Sequence, residues 1–294
     1  MRAIGEAPAV ARVERDLRAH AAIAHDGIVE QHAMIGPDGQ RLFAVTAIPA
    51  AGRTVRRTGV VVCHSFFEMK MLQGAELAFA RDAARRGYPG VYVQAPGMGD
   101  SEGDPLVCTV EARVDAALRA AEHLCEQAPV ERLCFVGARF GAAVAVLAAA
   151  RRPPPVALAL WDPALDAAEY WKHTRRFARV VAALDRARRE DADRQLDRRG
   201  TAVVVGYTIS RELREDLHAI DAVGSLAALE TPALVVGLNE PLARSAAGAL
   251  EPVLGAVERA SLGLPKPKNL IRLRIGDARA AAASTLAWME QRLP

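Results

Sequence analysis

The sequence lacks the features that mark several classes of protein. It has 4 cysteines in 294 residues and no Cys-x-x-Cys pair, so neither a disulfide framework nor a zinc knuckle is predicted. The balance of 38 Lys and Arg against 35 Asp and Glu leaves a formal charge of +3, too small to form the broad basic face that a nucleic acid requires. We therefore expect no nucleic-acid partner.

Long uninterrupted apolar runs are also missing. The first 20 residues interrupt their apolar positions with charges, unlike a signal peptide or a membrane span, so we expect a cytoplasmic chain. There is no metal-ligand cluster and no Gly-rich turn after the first parallel strand, where His64 and Ser65 stand, so no cofactor is implied. With 51% hydrophobic and 25% charged residues, the chain is typical of a globular protein with a large core.

Strand and helix patterns alternate along most of the chain. Pro37-Asp38-Gly39 separates two extended runs and predicts an antiparallel hairpin over about 28–49. The candidates that follow are strands at 59–64, 90–96, 132–137, 156–161, 232–238 and 269–275, with helices near 72–87, 109–127 and 140–151. This order predicts an α/β fold, in which a mostly parallel sheet with an antiparallel N-terminal hairpin has helices on both faces.

Two segments fall outside this alternation. Residues 8–24 place apolar side chains at helical spacing, so 1–27 are predicted to form an N-terminal helical appendage. Residues 164–230 are long, Arg-rich and helical, with one extra apolar run at 201–209. We interpret them as a cap inserted into a core made of 28–163 and 231–294.

Candidate functional residues directly follow the apolar runs, because ligands of open parallel sheets bind at the carboxyl ends of the strands. The sequence GARFG at 137–141 stands between a strand and a helix, which is the context of a nucleophile elbow. Together with the order of its other segments, it resembles the α/β-hydrolase superfamily over about 28–294. The motifs FFEMKM, GMGDSEG, GARFGA, WDP and GYTIS are similar to those of the exosortase A system-associated hydrolases, relatives of the serine aminopeptidase-like hydrolases.

The elbow departs from the pattern that this resemblance implies. Arg139 stands where an α/β hydrolase has Ser, Cys or Asp, and its guanidinium stays protonated and cannot act as a nucleophile. The superfamily's histidine is expected after the last strand, near 275–280, but no histidine follows His218. The acid positions hold Asp162 and Glu240. The resemblance therefore implies a hydrolase fold with a degenerate catalytic triad.

Two interpretations of Arg139 are open. It is either a buried residue tied to Asp162 or Glu68 by a salt bridge, or a clamp for a carboxylate, phosphate or carbonyl oxygen of a ligand. Backbone N–H groups of Phe140, and of Ser65 or Phe66, would complete an oxyanion hole if the fold geometry is kept. The candidate bases for a water nucleophile are Asp162, Glu68 and His64, of which His64 is expected rather to support its loop.

Three functional hypotheses follow. The first is a hydrolase acting on an acyl, ester or amide-bearing small molecule, with Arg139 holding an anionic or carbonyl oxygen. The second is a pseudoenzyme that binds a ligand or a partner protein without turnover. The third is a conventional hydrolase with a displaced nucleophile, such as Ser65 or Cys108, the less buried of the cysteine candidates. The expected partner is a small-molecule substrate or ligand, and a homodimer is left open.

Overall fold

The computed structural model describes residues 21–66, 70–153, 155–184, 191–237, 257–261 and 275–293. The strands are β1 (Ala21–His25), β2 (Ile28–Ile35), β3 (Leu42–Pro49), β4 (Thr58–Cys63), β5 (Gly90–Val93), β6 (Arg132–Ala138), β7 (Val156–Trp161), β8 (Thr201–Val204), β9 (Tyr207–Ser210), β10 (Ala233–Gly237) and β11 (Val257–Ser261). The α-helices are α1 (Lys70–Arg85), α2 (Val110–Gln127), α3 (Phe140–Ala150), α4 (Ala167–Leu184), α5 (Ala192–Arg199), α6 (Arg211–Ala219), α7 (Ala222–Ala227) and α8 (Ile275–Arg292).

One large sheet organises the described part of the chain. Its strand order is β1-β2-β3-β5-β4-β6-β7-β10-β11. The first three pairs in that order are antiparallel and the other five are parallel. The predicted hairpin is β2-β3, so a mostly parallel sheet with an antiparallel N-terminal hairpin is confirmed.

The central strands are buried on both faces, as their Val-rich runs predict. Along β4, Val61 and Cys63 pack in a cluster with residues of α2 and α3, whereas Val60 and Val62 pack in a cluster with residues of α1 and α8. Because side chains alternate along a strand, these two clusters are the two sides of the sheet. The sheet therefore lies between two helical layers, and the ends of its strands form the candidate site.

The segment between β7 and β10, the predicted cap, is an insertion between two neighbouring strands of the sheet. It contains α4 to α7 and a separate two-stranded sheet of β8 and β9, and α7 contacts α3. The apolar run at 201–209 is not one strand, because Val205 and Gly206 have φ values of 51° and 86°. Positive φ at both central residues is what a tight two-residue hairpin turn requires.

The predicted N-terminal helix over 8–24 is wrong at its end. Residues Ala21–His25 form β1, which pairs antiparallel with β2. Asp26 and Gly27, with φ values of 48° and 79°, make the two-residue turn that joins the two strands. An Asp-Gly pair between extended runs is a strong hairpin signal, and it outweighs the helical spacing. Residues 1–20 lie outside the described residues.

The far edge of the sheet also differs from the prediction. The strand expected at 269–275 ends on Ile275, which begins α8, and residues 269–274 lie outside the described residues. The last strand of the sheet among the described residues is β11, parallel to β10, which the sequence patterns did not predict. Its sequence, VERAS, has charges at Glu258 and Arg259 and therefore no apolar run. Among the described helices, none has the length and apolarity needed to cross a bilayer.

Candidate functional site

The turn between β6 and α3 places Arg139 in a strained backbone conformation. Its φ is 54° and its ψ is −120°, a combination that costs a residue with a side chain about 1–3 kcal/mol. Three backbone hydrogen bonds hold the turn: the N–H of Arg139 donates to the carbonyl of Trp161, and its carbonyl accepts from the N–H groups of Ala142 and Ala164. The sharp turn of a nucleophile elbow is therefore present.

Two glycines make this turn sterically feasible. A Cβ on Gly137 would lie 2.1 Å from the carbonyl oxygen of Gly141, and a Cβ on Gly141 would lie 2.4 Å from the carbonyl oxygen of Cys63. Both distances are far inside van der Waals contact. The spacing G-x-x-x-G thus reflects the close packing of the first turn of α3 against the ends of β6 and β4.

An ion pair joins the elbow to the next strand. Nη1 of Arg139 donates to Oδ2 of Asp162 at 2.8 Å. The Asp162 side chain is fully buried and that of Arg139 is 15% exposed. Asp162 directly follows β7, has a φ of 45°, and donates its N–H to the carbonyl of Val236 at 2.7 Å. The structure therefore brings together the nucleophile position and one of the two acid positions. Glu68 and Glu240 lie outside the described residues.

The expected oxyanion donors differ in what they contact. The N–H of Ser65 donates to Oε1 of buried Glu76 at 3.1 Å, so a carboxylate occupies this donor and the expectation for Ser65 is corrected. The hydroxyl of Tyr170 donates to the carbonyl oxygen of Phe66. Phe140 begins α3, and the first N–H groups of a helix have no acceptor within the helix and attract anions.

Aromatic rings surround this corner of the site. Phe140 stacks on Tyr170 with ring centroids 5.6 Å apart and planes 10° from parallel. Phe66 meets Tyr207 edge to face at 5.3 Å. Tyr170 belongs to α4 and Tyr207 to β9, so the cap packs aromatic rings against the two residues whose backbones flank the elbow.

His64 is poorly suited to act as a base. Burial, followed by the positive charge of Arg113, lowers the pKa of His64 from 6.5 to about 3. The imidazole is therefore neutral at pH 7 and binds a proton only weakly. Its Nδ1 has no hydrogen-bond partner within the described ranges.

The displaced nucleophiles are buried as well. Ser65 is 0% exposed and Cys108 is 2% exposed, so substrate has no access to either side chain in this structure. Cys108 is therefore no more accessible than the core cysteines Cys63 and Cys134, and Cys125 is the cysteine that is only half-buried. The third hypothesis loses its two named candidates.

Comparison with known proteins places this geometry in a family. Residues 38–233 match the X-Pro dipeptidyl-peptidase (S15) family. The chain belongs to the S15 family. No curated protein matches this S15 chain significantly.

Solved structures show the fold of this S15 family member. Est1E from Butyrivibrio proteoclasticus is 13% identical, with a TM-score of 0.63 over 88% of this chain and 99% of that one. An acetyl xylan esterase from Paenibacillus sp. R4 is 12% identical, with a TM-score of 0.62 over 99% and 97%. XC6422 from Xanthomonas campestris, an α/β serine hydrolase without a lid, is 16% identical, with a TM-score of 0.55 over 90% and 95%. The α/β-hydrolase fold predicted for the chain is confirmed.

Two residues near the site of this S15 protein escaped the sequence analysis. Glu76 in α1 accepts the Ser65 N–H. Arg113 in α2 is 3% exposed, and its guanidinium carbon lies 3.9 Å from the centroid of the Phe66 ring. Both lie within helices. The other candidates were found because they directly follow a strand, and that criterion does not apply to these two residues. A charged residue among the apolar positions of α2 was the one available signal for Arg113.

Proposed function

We propose that this S15 family member is a pseudo-hydrolase that binds a small molecule carrying a carboxylate or carbonyl oxygen at the elbow, without breaking a bond in it. The observation that carries the proposal is the ion pair between Arg139 and Asp162, which fills the nucleophile position and an acid position of the hydrolase fold. A residue that cannot attack a carbonyl carbon stands where the attack would begin.

The residues that could activate water also favour binding over turnover. To accept a proton, Asp162 would have to give up its ion pair with Arg139, and the charge of the half-buried Arg139 would then lose this carboxylate. The low pKa of His64, about 3, makes its imidazole a weak base at neutral pH. The sequence contains no histidine after position 218 to replace it.

The ligand class follows from what surrounds the elbow. The guanidinium of Arg139 is planar and can hold a carboxylate through two of its N–H groups. The N–H of Phe140 lies at the positive end of α3. The rings of Phe66 and Tyr170 are buried beside this corner, and that of Tyr207 is half-buried, so Tyr207 is the ring of the three that offers apolar surface to the rest of the ligand. We infer a small acid, or an acyl compound, with an aromatic or aliphatic body.

A binding assay and a turnover assay on the same samples test the proposal. Titration calorimetry with aryl and fatty carboxylates is expected to detect a ligand, and Arg139→Met is expected to weaken its binding about 10-fold to 100-fold, the loss typical of a charged hydrogen bond. Arg151→Met is the matched control, because Arg151 follows the other end of α3 and pairs with exposed Glu111. The proposal fails if Arg139→Met binds as tightly as the wild type.

Family membership favours one alternative, a hydrolase of non-standard chemistry that cleaves an ester, thioester or amide. This enzyme would use Arg139 to hold the carbonyl oxygen, and water would be activated by a base such as Glu68. It predicts turnover of an ester or aminoacyl-amide panel by the wild type that Arg139→Met abolishes and Arg151→Met retains. Arg139→Ser is a second variant to test. Because the sequence has no histidine after position 218 to activate the new serine, we expect a fluorophosphonate probe not to label it.

The exosortase association and the cytoplasmic location stay predictions.

A further inference from the structure

Arg113 is a buried cation for which the described residues supply no counterion. The residue is 3% exposed, and none of its three guanidinium nitrogens has a hydrogen-bond acceptor within the described ranges. A buried lysine could lose its proton, but a guanidinium remains charged at any pH that a folded protein tolerates. An unpaired buried charge is strongly unfavourable, so this arrangement calls for a compensating group.

The aromatic contact compensates only part of that cost. The guanidinium carbon lies 3.9 Å from the Phe66 ring centroid, close enough for a cation–π interaction. The ring does not accept the five N–H donors of the guanidinium as a carboxylate would, and the described residues supply no acceptor for them. Within the described part of the chain, the cation is therefore held in place but not neutralised.

A small cavity lies beside this cation. It is lined by Arg113 and His64 together with six small or apolar residues: Cys63, Val93, Ala95, Ala116, Ala117 and Val144. Its volume is about 10 Å³, close to the minimum that holds one water-sized species. None of the lining residues that the structure describes is acidic. Arg113 also lies in the first turn of α2, where the helix dipole adds positive potential.

We propose that this cavity is a binding site for one halide-sized monovalent anion, with chloride as its ordinary occupant, held by the guanidinium of Arg113. The size of the cavity excludes phosphate, sulfate and organic carboxylates. The apolar remainder of the lining suits a weakly hydrated ion that gives up its water readily. A water molecule would fit the same volume, but its dipole would leave the charge of Arg113 uncompensated.

The bound anion supports the loop that leads from β4 towards the elbow. Cys63 and His64 form part of the cavity wall, and Phe66 stacks on the cation that holds the anion. Loss of the anion would leave the charge of Arg113 against this loop. The anion site is therefore a structural support beneath the candidate ligand site, and it is independent of whether that site binds or hydrolyses its ligand.

Halide-dependent stability tests the proposal in solution. Thermal unfolding of the full chain is compared in sodium bromide, sodium chloride and sodium gluconate at equal ionic strength. A halide concentration ten times Kd multiplies the folding constant about 11-fold and raises Tm by roughly 3 °C. Arg113→Met keeps the length and apolar volume but removes the charge, so it is expected to remove this halide effect. Arg119→Met, on the same helix but half-buried, is expected to keep it.

Crystallography of the wild type locates the ion directly and does not depend on a variant that folds. Crystals grown or soaked in bromide are expected to give an anomalous peak in contact with the Arg113 guanidinium. An equal halide effect in wild type and Arg113→Met overturns the proposal, as does the absence of a peak in the cavity. A peak without any halide dependence in solution would identify an adventitious ion only and would also overturn it.

Discussion

The ion pair between Arg139 and Asp162 predicts strong coupling between two substitutions. We consider Asp162→Asn and Arg139→Met, singly and together. Asn keeps the shape of Asp and tolerates the φ of 45° that residue 162 adopts, while Met keeps the length of Arg without its charge. Each single change removes one charge of the pair and keeps the other. The double change removes both charges at once.

The burial of the pair sets the expected magnitude. Nη1 and Oδ2 are 2.8 Å apart, one side chain is fully buried and the other is 15% exposed, so the pair lies near the buried limit. Breaking a buried pair costs about 3–5 kcal/mol, whereas replacing both partners with apolar or neutral groups is often close to neutral. We therefore expect each single variant to lose about 3 kcal/mol of unfolding free energy. The double variant is expected to lose at least about 2 kcal/mol less than the sum of the two single losses.

Urea unfolding measures these free energies. Tryptophan fluorescence is a sensitive probe because Trp161 precedes Asp162, and agreement with far-ultraviolet circular dichroism checks that unfolding has two states. The exposed pair of Arg57 and Glu131, with side chains 67% and 62% exposed, is the matched control, and its cycle is expected to couple by less than about 1 kcal/mol. Additive costs for Arg139→Met and Asp162→Asn would refute the view that one buried ion pair holds the elbow.

Three other regions give shorter predictions. Arg81 lowers the pKa of buried Glu30 from 4.5 to about 2, so Glu30 contributes stability above pH 4.5 that is lost as the pH falls towards 2. Glu30→Gln should remove this pH dependence and cost about 1–2 kcal/mol at pH 7, because solvent partly screens Arg81. An acid unfolding curve unchanged by the substitution would contradict this prediction. Gly141→Ala should destabilise the protein by more than about 2 kcal/mol in urea, because the new Cβ meets a β4 carbonyl oxygen at 2.4 Å. Trp161 donates Nε1–H to Thr285 Oγ1 at 2.9 Å between buried groups, so Thr285→Val should cost about 1–3 kcal/mol, and calorimetry showing no loss would exclude a role for this bond.

The fold was largely predictable because its strongest signals are local. Val-rich runs gave the central strands, and the Pro37-Asp38-Gly39 turn gave the first hairpin. The strands that the sequence patterns missed lie at the two ends of the described sheet, where β1 precedes a second Asp-Gly turn and β11 has charged central residues. An edge strand is paired on one side only, so its sequence carries less hydrophobic pattern than that of a central strand.

The candidate site was predictable only where it lies at strand ends. Spacing along the chain places Arg139 and Asp162 after neighbouring strands, and their contact follows from the parallel sheet. Glu76 and Arg113 reach the same region from helices on opposite sides of the sheet. Their contacts depend on how the helices pack, which involves residues distant in sequence. Burial of Ser65 and Cys108 has the same origin, and no local pattern reports it.

The elbow keeps its strained geometry although its central residue cannot act as a nucleophile. The reason lies in the bonds that hold it, since the backbone of Arg139 is tied to the end of β7 and to the segments that follow β6 and β7, while Gly141 packs against the end of β4. Relaxing the strained backbone would require α3 to separate from three central strands. The free energy lost by exposing their apolar surface would be far larger than the strain itself, which is about 1–3 kcal/mol. The turn therefore belongs to the packing of the fold, and the side chain at its apex can change without it. Fold and chemistry separate at this residue, which is why membership of the S15 family and an arginine at the apex of the elbow coexist in one chain.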